Sequence, residues 1–188
     1  MKTGIITNKK IITILLISFL VIACAIYIVG VVYVNHKFPK VGREVHQVNE
    51  QFDWNNFNVT VKKYELMTAD EINKRWSTAT IAEGSLGEND KIMVAEIQVE
   101  YIGEDSTASF PITKVSDQSG AWSNASEYIL LNSINNGFKC KKGETTTFYT
   151  AINVKQIMFS KAAWKNYANR DYELVFSTYP NIVSVELN

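Results

Sequence analysis

The sequence predicts an all-β domain, an antiparallel β-sandwich of about seven or eight short strands with two short helical turns, behind one amino-terminal transmembrane helix. Three observations lead to this prediction. Residues 11–34 carry no charge, and a stretch of that length can span a bilayer. In the remainder, apolar and polar side chains alternate with a period of two, as in half-buried strands. Turn residues separate these runs at short intervals.

The uncharged segment is long enough to cross a membrane. Its 24 residues would extend roughly 36 Å as a helix, against a hydrocarbon core of about 30 Å. Two alternatives stay open: Ala23-Cys24-Ala25 is a small-x-small site for signal-peptide cleavage, and Val21-Ile22-Ala23-Cys24 resembles a bacterial lipobox with Cys24 as the lipidated residue. Because apolar sequence continues for about ten residues beyond either site, an uncleaved signal-anchor is favoured.

The span divides the chain into four expected parts. These are a cytoplasmic tail at 1–10, the transmembrane signal-anchor at 11–34, a stalk and first strand at 35–50, and an extracytoplasmic domain at 51–188. Flanking charge does not decide the orientation, because Lys2, Lys9 and Lys10 precede the span while Lys37, Lys40 and Arg43 follow it. A short tail before a long domain is typical of a signal-anchor, so we expect a single-pass cell-membrane protein whose carboxyl-terminal domain lies outside.

The composition of the domain excludes several classes of protein. All nineteen acidic residues follow Val34 but only sixteen basic ones do, so this part has a net charge of −3 and no basic excess for binding nucleic acid. Its one cysteine, Cys140, cannot form an internal disulfide. Cysteine-poor exported domains are common on Gram-positive bacteria, and such a cell surface is the expected location.

The predicted strands begin with the runs 44–48, 57–66 and 93–101, and the second of these is irregular. Its apolar side chains occupy odd positions up to Val61 and even positions from Tyr64 onward. This change of parity at Lys62-Lys63 would invert the buried face unless one residue is extra, so we predict a β-bulge there. The run 93–101 alternates without interruption and predicts a clean, half-buried strand.

Further strands are predicted at 108–112, 126–131, 148–154, 172–176 and 183–187. Pro111 has no amide hydrogen to donate, which places the first of these at a sheet edge. Tyr179-Pro180-Asn181 is a turn sequence, so the last two runs should form a terminal hairpin.

Two short helical turns interrupt the strands. Thr68 and Glu71 are spaced as a capping box, in which each side chain bonds the backbone amide of the other. Ser160 can cap the run 161–168, which ends at Asn169. Neither run is long enough to be stable alone, so we expect each to cover an open end of the sandwich.

The order of these strands and turns resembles a known family. Val41-Gly42 leads into the domain, Ile102-Gly103-Glu104 ends the strand 93–101, and Lys142-Gly143-Glu144 precedes the next long strand. Over roughly residues 41–188 the chain is similar to bacterial membrane-anchored or lipidated domains of unknown function with an immunoglobulin-like fold, related to secreted immunoprotective antigens. That group has asparagine-glycine and proline-glycine-glutamate forms at these turns. The resemblance implies an immunoglobulin-like sandwich and brings no catalytic residue.

No pattern points to catalysis, a metal or a cofactor. The only histidines, His36 and His46, lie in the stalk or its junction with the domain, so a serine or cysteine triad or a zinc site lacks its residues. No phosphate-binding, dinucleotide-binding or calcium-binding loop motif occurs. Cys140 lies among lysines that would favour its thiolate; the alternative is a half-buried thiol at a strand end. We expect no enzyme.

The expected function is binding. Trp122 lies in a polar Ser-Gly-Ala-Trp-Ser-Asn loop and is the aromatic residue expected to be exposed to a partner. We expect a protein- or ligand-binding module that acts through loops and an edge strand, with the lipid bilayer and an unidentified protein as partners. The alternative is an accessory or immunity-type subunit of a membrane transport or secretion complex, which would be contacted through Tyr27, Gly30 and Tyr33.

Overall fold

The computed structural model describes residues 3–38, 41–81 and 84–187. The chain forms two compact units, Met1–Val41 and Gly42–Asn188. The first contains a single α-helix, α1 (Thr3–Lys37). Its part Lys10–Lys37 is long and apolar enough to cross a membrane, a property shared by membrane anchors and signal sequences, and none of it is buried within the protein.

The second unit is a β-sandwich, which confirms the predicted fold class. The described residues of this unit contain twelve strands and three short α-helices. The strands are β1 (Gly42–Gln47), β2 (Gln51–Trp54), β3 (Phe57–Met67), β4 (Lys91–Tyr101), β5 (Thr107–Ser109), β6 (Ser116–Ser119), β7 (Trp122–Ala125), β8 (Lys139–Lys141), β9 (Thr145–Tyr149), β10 (Ile152–Val154), β11 (Tyr172–Ser177) and β12 (Asn181–Leu187). The helices are α2 (Ala69–Arg75), α3 (Tyr128–Ile134) and α4 (Lys161–Trp164). Six strands have only three or four residues, too few to show alternation in the sequence.

Two five-stranded sheets enclose the core. One has the order β1-β12-β11-β6-β7; in the other, β10-β4-β3-β2 form a path and β9 also pairs with β4. Strands β5 and β8 form a separate pair. Within the described ranges every strand pair is antiparallel except β1–β12, which is parallel. The predicted terminal hairpin is confirmed as β11–β12.

The predicted bulge is present in β3. Val61 pairs with Ile97 and Lys63 pairs with Glu96, so Lys62 is the extra residue. After the bulge Tyr64 pairs with Ala95, and directly opposed residues of an antiparallel pair point to the same face. The insertion therefore keeps the apolar side chains of both halves of β3 on the core side.

Aromatic rings join the two sheets. The Phe52 and Trp54 rings of one sheet lie 5.1 and 5.3 Å from the Phe176 ring of the other. Phe110 stacks on Phe148 at 5.5 Å and meets the Trp54 ring edge at 5.7 Å. Such pairs add about 0.5–1.5 kcal/mol each to the stabilisation from burial, and they fix the end of the sandwich where these strands meet.

Both predicted helical turns are confirmed. The capping box of α2 is complete, with the Glu71 amide donating to the Thr68 hydroxyl at 3.3 Å and the Thr68 amide donating to the Glu71 carboxylate at 2.7 Å. Ser160 caps α4 by accepting from the Ala163 amide at 3.2 Å. A 3-10 turn at Tyr167–Asn169 follows.

The strand predicted at 126–131 is wrong, because this segment forms α3. The Glu127 carboxylate caps it by accepting from the amides of Ile129 and Leu130 at 3.1 and 2.6 Å. Leu130, Leu131 and Ile134 are buried together, and their spacing is that of one helical face. Six mostly apolar residues carry too little periodicity to separate a strand from a helix.

Two other predicted strands have different bounds. The strand at 108–112 ends at Ser109, and a 3-10 turn at Ile112–Lys114 follows Pro111. The run 148–154 is divided into β9 and β10, because the Thr150 hydroxyl accepts from the Ala95 amide at 2.8 Å and interrupts the regular ladder with β4.

Candidate functional site

An open cleft lies at the end of the sandwich where β1 begins. Its volume is about 320 Å³, and it is formed by the end of β2, the segment leading into β6, and the end of β11 with the turn after it. Its lining includes Trp54, Asn55, Lys114, Ser177, Thr178 and Tyr179. We call this feature the end cleft. It brings together segments that lie more than a hundred residues apart in the sequence.

One wall of the end cleft is formed by the β2–β3 hairpin. Asn55 and Asn56 form its two-residue loop with φ angles of 52° and 65°. Positive φ at both positions is the geometry of a type I′ turn, which asparagine tolerates well. The turn fixes Trp54 against Phe176, so this wall is set by core packing.

Lys114 supplies the charge of the end cleft. It ends the 3-10 turn after Pro111, whose carbonyl accepts from the Lys114 amide at 3.0 Å, and the buried Ile112 and Val115 on either side fix this turn. The remaining lining residues are uncharged. Lys114 is exposed, and among the described residues no carboxylate lies within ion-pair distance of its ammonium.

Tyr179 forms the rim of the end cleft. Its side chain is 82% exposed in the turn between β11 and β12, and the Ser177 hydroxyl donates to the Tyr179 carbonyl at 3.1 Å. An ammonium group, an asparagine amide and several hydroxyls surround the cleft. This set of groups suits an anionic, hydrogen-bond-accepting ligand and includes no pair of nucleophile and base.

A second unusual group is buried in the core. Asp117 of β6 pairs with Leu174 of β11, so its side chain points to the core face, and it is fully buried. Neither carboxylate oxygen has a hydrogen-bond partner among the described residues. Burial raises the pKa of Asp117 to about 8; the nearby Gln118 amide opposes this rise and the charge of Glu173 adds to it. Asp117 is therefore mostly protonated in the folded protein at pH 7.

Comparison with known proteins identifies the domain. Residues 41–182 match the family described as a domain of unknown function, DUF5028. The chain belongs to this family. No curated protein matches the sequence. This match gives the family and no activity, so the function of the DUF5028 domain has to be inferred from its site.

Solved structures share the fold of this DUF5028 domain at low sequence identity. The secreted protein MPT63 of Mycobacterium tuberculosis is 9% identical with a TM-score of 0.50, over 78% of this chain and 99% of that one. An uncharacterized β-sandwich protein of Clostridium difficile is 8% identical with a TM-score of 0.49, over 79% and 97%. A candidate lipoprotein of Bacillus subtilis, YcdA, is 10% identical with a TM-score of 0.46 over 73% of this chain, which spans only 38% of that one.

Trp122 does not have the exposure expected of it. It begins β7 and is only 9% exposed, because its indole N–H faces the Met158 sulfur at 3.3 Å and its ring lies 5.3 Å from that of Phe159. The expectation of an exposed tryptophan was wrong because residues 30 or more positions away cover a loop that is polar in sequence. This burial leaves Trp122 little surface for a partner.

The predicted contact residues of the membrane segment lie on α1. Tyr27 and Tyr33 are exposed, and a Cβ added to Gly30 would have no heavy atom within 4 Å. Tyr27, Gly30, Val31 and Val34 border one shallow groove of the helix, whereas Tyr33 borders another. Cys24 is exposed on the same helix. Their roles in partner contact and lipidation stay predictions.

Two alternatives were expected for Cys140, a thiolate favoured by the neighbouring lysines or a half-buried thiol, and the structure agrees better with the second, less reactive one. It is buried in β8, and burial raises the pKa of its thiol, opposed by a hydrogen bond with Thr146. Since the thiolate is the reactive form, the neighbouring lysines do not activate it. In the part of the chain that the structure describes, no group of three or more histidine, cysteine or acidic residues is placed to hold a metal ion.

Sequence reasoning missed the end cleft. Lys114 has no distinguishing neighbours in the sequence, and its role appears only when its turn is packed beside the β11–β12 hairpin. Tyr179 gave a usable signal, because an aromatic residue in a tight turn next to proline rarely finds core to pack against. That signal predicts a turn and does not by itself indicate a site.

Proposed function

We propose that this protein is anchored in the cell membrane by α1 and displays an immunoglobulin-like β-sandwich outside the cell as a ligand-binding module, without catalysis. The observation that carries the proposal is Lys114, which has no ion-pair partner among the described residues and lies in a cleft lined otherwise by Val175 and by aromatic, amide and hydroxyl groups. A cationic, donor-rich cleft with one wall packed against the core is suited to recognise an anion.

The anchoring part of the proposal rests on α1. Every described side chain from Lys10 to Lys37 is exposed, and a helix that is apolar on all sides requires a nonpolar surrounding. Two aromatic rings at its end, those of Tyr33 and Phe38, lie 5.8 and 5.7 Å from the Lys37 ammonium. Aromatic and basic side chains of this kind are typical of a membrane–water interface.

Protease treatment of cells tests the location. A carboxyl-terminal epitope on the full chain should be digested in intact cells if the sandwich lies outside. Protection in intact cells followed by digestion after lysis would contradict the proposal and put the domain in the cytoplasm. A cytoplasmic protein digested only after lysis is the control for membrane integrity.

Ligand screening tests the binding role. The unfolding temperature of the full chain in detergent should rise with small anions that carry hydroxyl groups, and Lys114→Gln should abolish this rise. Lys161→Gln removes a charge from the exposed α4, outside the end cleft, and serves as the matched control. Equal shifts in both variants would contradict a role for the end cleft.

The alternative of an accessory subunit is favoured by one observation on α1. Gly30 leaves an open notch beside Tyr27 and Val31, and small residues allow close approach of another membrane helix. Gly30→Leu would fill the notch and should release a co-purifying membrane protein, whereas Ile28→Leu should not. Retention of the same proteins by both variants would exclude this role for the notch.

A further inference from the structure

We propose that the end cleft binds the headgroup of an anionic phospholipid in the same membrane that holds α1. This inference rests on the proposed anchoring and names the ligand of the proposed binding module. It turns the sandwich from a freely tethered domain into one whose β1 end engages the bilayer surface. Three observations on the chain support it, the second of which builds on the first.

The first observation is the short covalent connection between the two units. Lys37 ends α1 and Gly42 begins β1, so five peptide steps join them. A peptide covers at most about 3.6 Å per residue, which limits the distance between these two Cα atoms to about 18 Å in any conformation. If Lys37 marks the membrane–water interface, Gly42 is restricted to a layer close to the lipid headgroups.

The second observation is the strand register, which puts the end cleft beside Gly42. Gly42 pairs with Asn181 in the parallel β1–β12 ladder, and the turn at 178–180 immediately precedes Asn181. The cleft rim at Tyr179 therefore lies next to the point restricted by the connection. Tyr179 is exposed, and tyrosine, with an apolar ring and a polar hydroxyl, is enriched at headgroup depth.

The third observation is charge. A phospholipid phosphate presents acceptor oxygens and negative charge, and glycerol headgroups add hydroxyls. The end cleft offers the ammonium of Lys114, the amide of Asn55 and the hydroxyl of Thr178, and its described lining includes no carboxylate. Lysine binds phosphate as a point charge, and basic residues held near a membrane are attracted to anionic lipids. Charge and position together favour a lipid over a soluble anion.

The test uses the full chain in lipid nanodiscs. One set contains phosphatidylcholine alone and the other contains phosphatidylcholine with a third of phosphatidylglycerol. Amide hydrogen exchange is followed for peptides covering 176–182, and for α3 as an internal reference, because Tyr128 and Ile129 of α3 are exposed and lie outside the cleft. Wild type is compared with Lys114→Gln, Tyr179→Ser, and two controls that change exposed residues elsewhere, Lys161→Gln and Tyr128→Ser.

We expect exchange at 176–182 to slow at least several-fold in phosphatidylglycerol discs and not in phosphatidylcholine discs, with α3 unchanged. Lys114→Gln and Tyr179→Ser should remove this lipid-dependent protection, and both controls should retain it. Equal exchange in the two lipids, or protection that survives Lys114→Gln, would overturn the inference.

Two further measurements distinguish a failure of the lipid assignment from a failure of the proposed membrane anchoring. Glycerol phosphate added to phosphatidylcholine discs should give no comparable protection; full protection would show that the cleft takes the free phosphate ester and would overturn the lipid assignment. Co-flotation of the chain with liposomes is measured separately. A chain that fails to float would overturn the anchoring itself, whereas a chain that floats without lipid-dependent protection overturns only the lipid ligand.

Discussion

Replacing Asp117 by asparagine should remove a large pH dependence from the stability of the protein. The carboxyl group is fully buried without a hydrogen-bond partner among the described residues, and burial raises its pKa from 3.8 to about 8. In the unfolded chain the group ionises at its ordinary pKa. Between these two values the folded state holds a proton that the unfolded state has released, so stability falls as pH rises.

The magnitude follows from proton linkage. One proton of difference between folded and unfolded states changes the free energy of unfolding by about 1.4 kcal/mol per pH unit. The stability contributed by this group is fully present below about pH 4 and is lost progressively up to about pH 8. From pH 5 to pH 7 wild type should therefore lose on the order of 3 kcal/mol at this site. Asparagine does not titrate, so the variant should lack this slope.

Urea unfolding of the full chain in detergent, followed by tryptophan fluorescence at pH 5, 6, 7 and 8, measures the effect. The useful quantity is the difference between wild type and Asp117→Asn at each pH, because titrating groups that do not interact with Asp117 cancel in it. Asp53→Asn, at an exposed position on β2, is the control and should follow wild type. Parallel curves for wild type and Asp117→Asn would refute the reasoning, since they would mean that Asp117 is ionised in the fold.

Three other changes test local features. Thr68→Ala should destabilise the protein by about 1 kcal/mol through loss of the helix cap, whereas Thr68→Ser should be near neutral; thermal unfolding measures both. Deleting Lys62 should retain the folded near-ultraviolet circular dichroism, because Val61, Tyr64 and Leu66 then alternate on the core face without a bulge, whereas deleting Lys62 and Lys63 together should abolish it, because Tyr64 and Leu66 would turn to the outer face. Cys140 should react with maleimide only at the rate of unfolding, in a Cys24→Ser background; rapid labelling of the native protein would show that the thiol is accessible.

Sequence rules predicted those parts of the fold whose conformation is determined by residues close together in the chain. The parity change at Lys62 reveals the bulge because side chains alternate strictly along a strand. The Thr68 and Glu71 pair reveals a helix start because both hydrogen bonds of the capping box close within one turn. Segment 126–131 carries no such signal, and it became a helix because the Glu127 cap and three buried side chains favoured that conformation in its tertiary setting.

The candidate site could not be predicted in the same way. Trp54, Lys114 and Tyr179 come from three distant segments, and their proximity depends on how the two sheets stack. Trp122 shows the converse, because a polar local sequence predicted exposure while Met158 and Phe159 cover the ring. Burial is a property of all neighbours in space, and a single segment contains only its neighbours in sequence.

The amino-acid sequence by itself determined the apolar helix, the all-β character of the domain, the bulge in β3 and the capped turns, since each depends on the order of side chains within about a dozen residues. Only the tertiary structure decided the pairing of β1 with β12, the end cleft beside it and the burial of Asp117. These depend on contacts between residues far apart in the chain, whose formation is governed by the packing of the whole core.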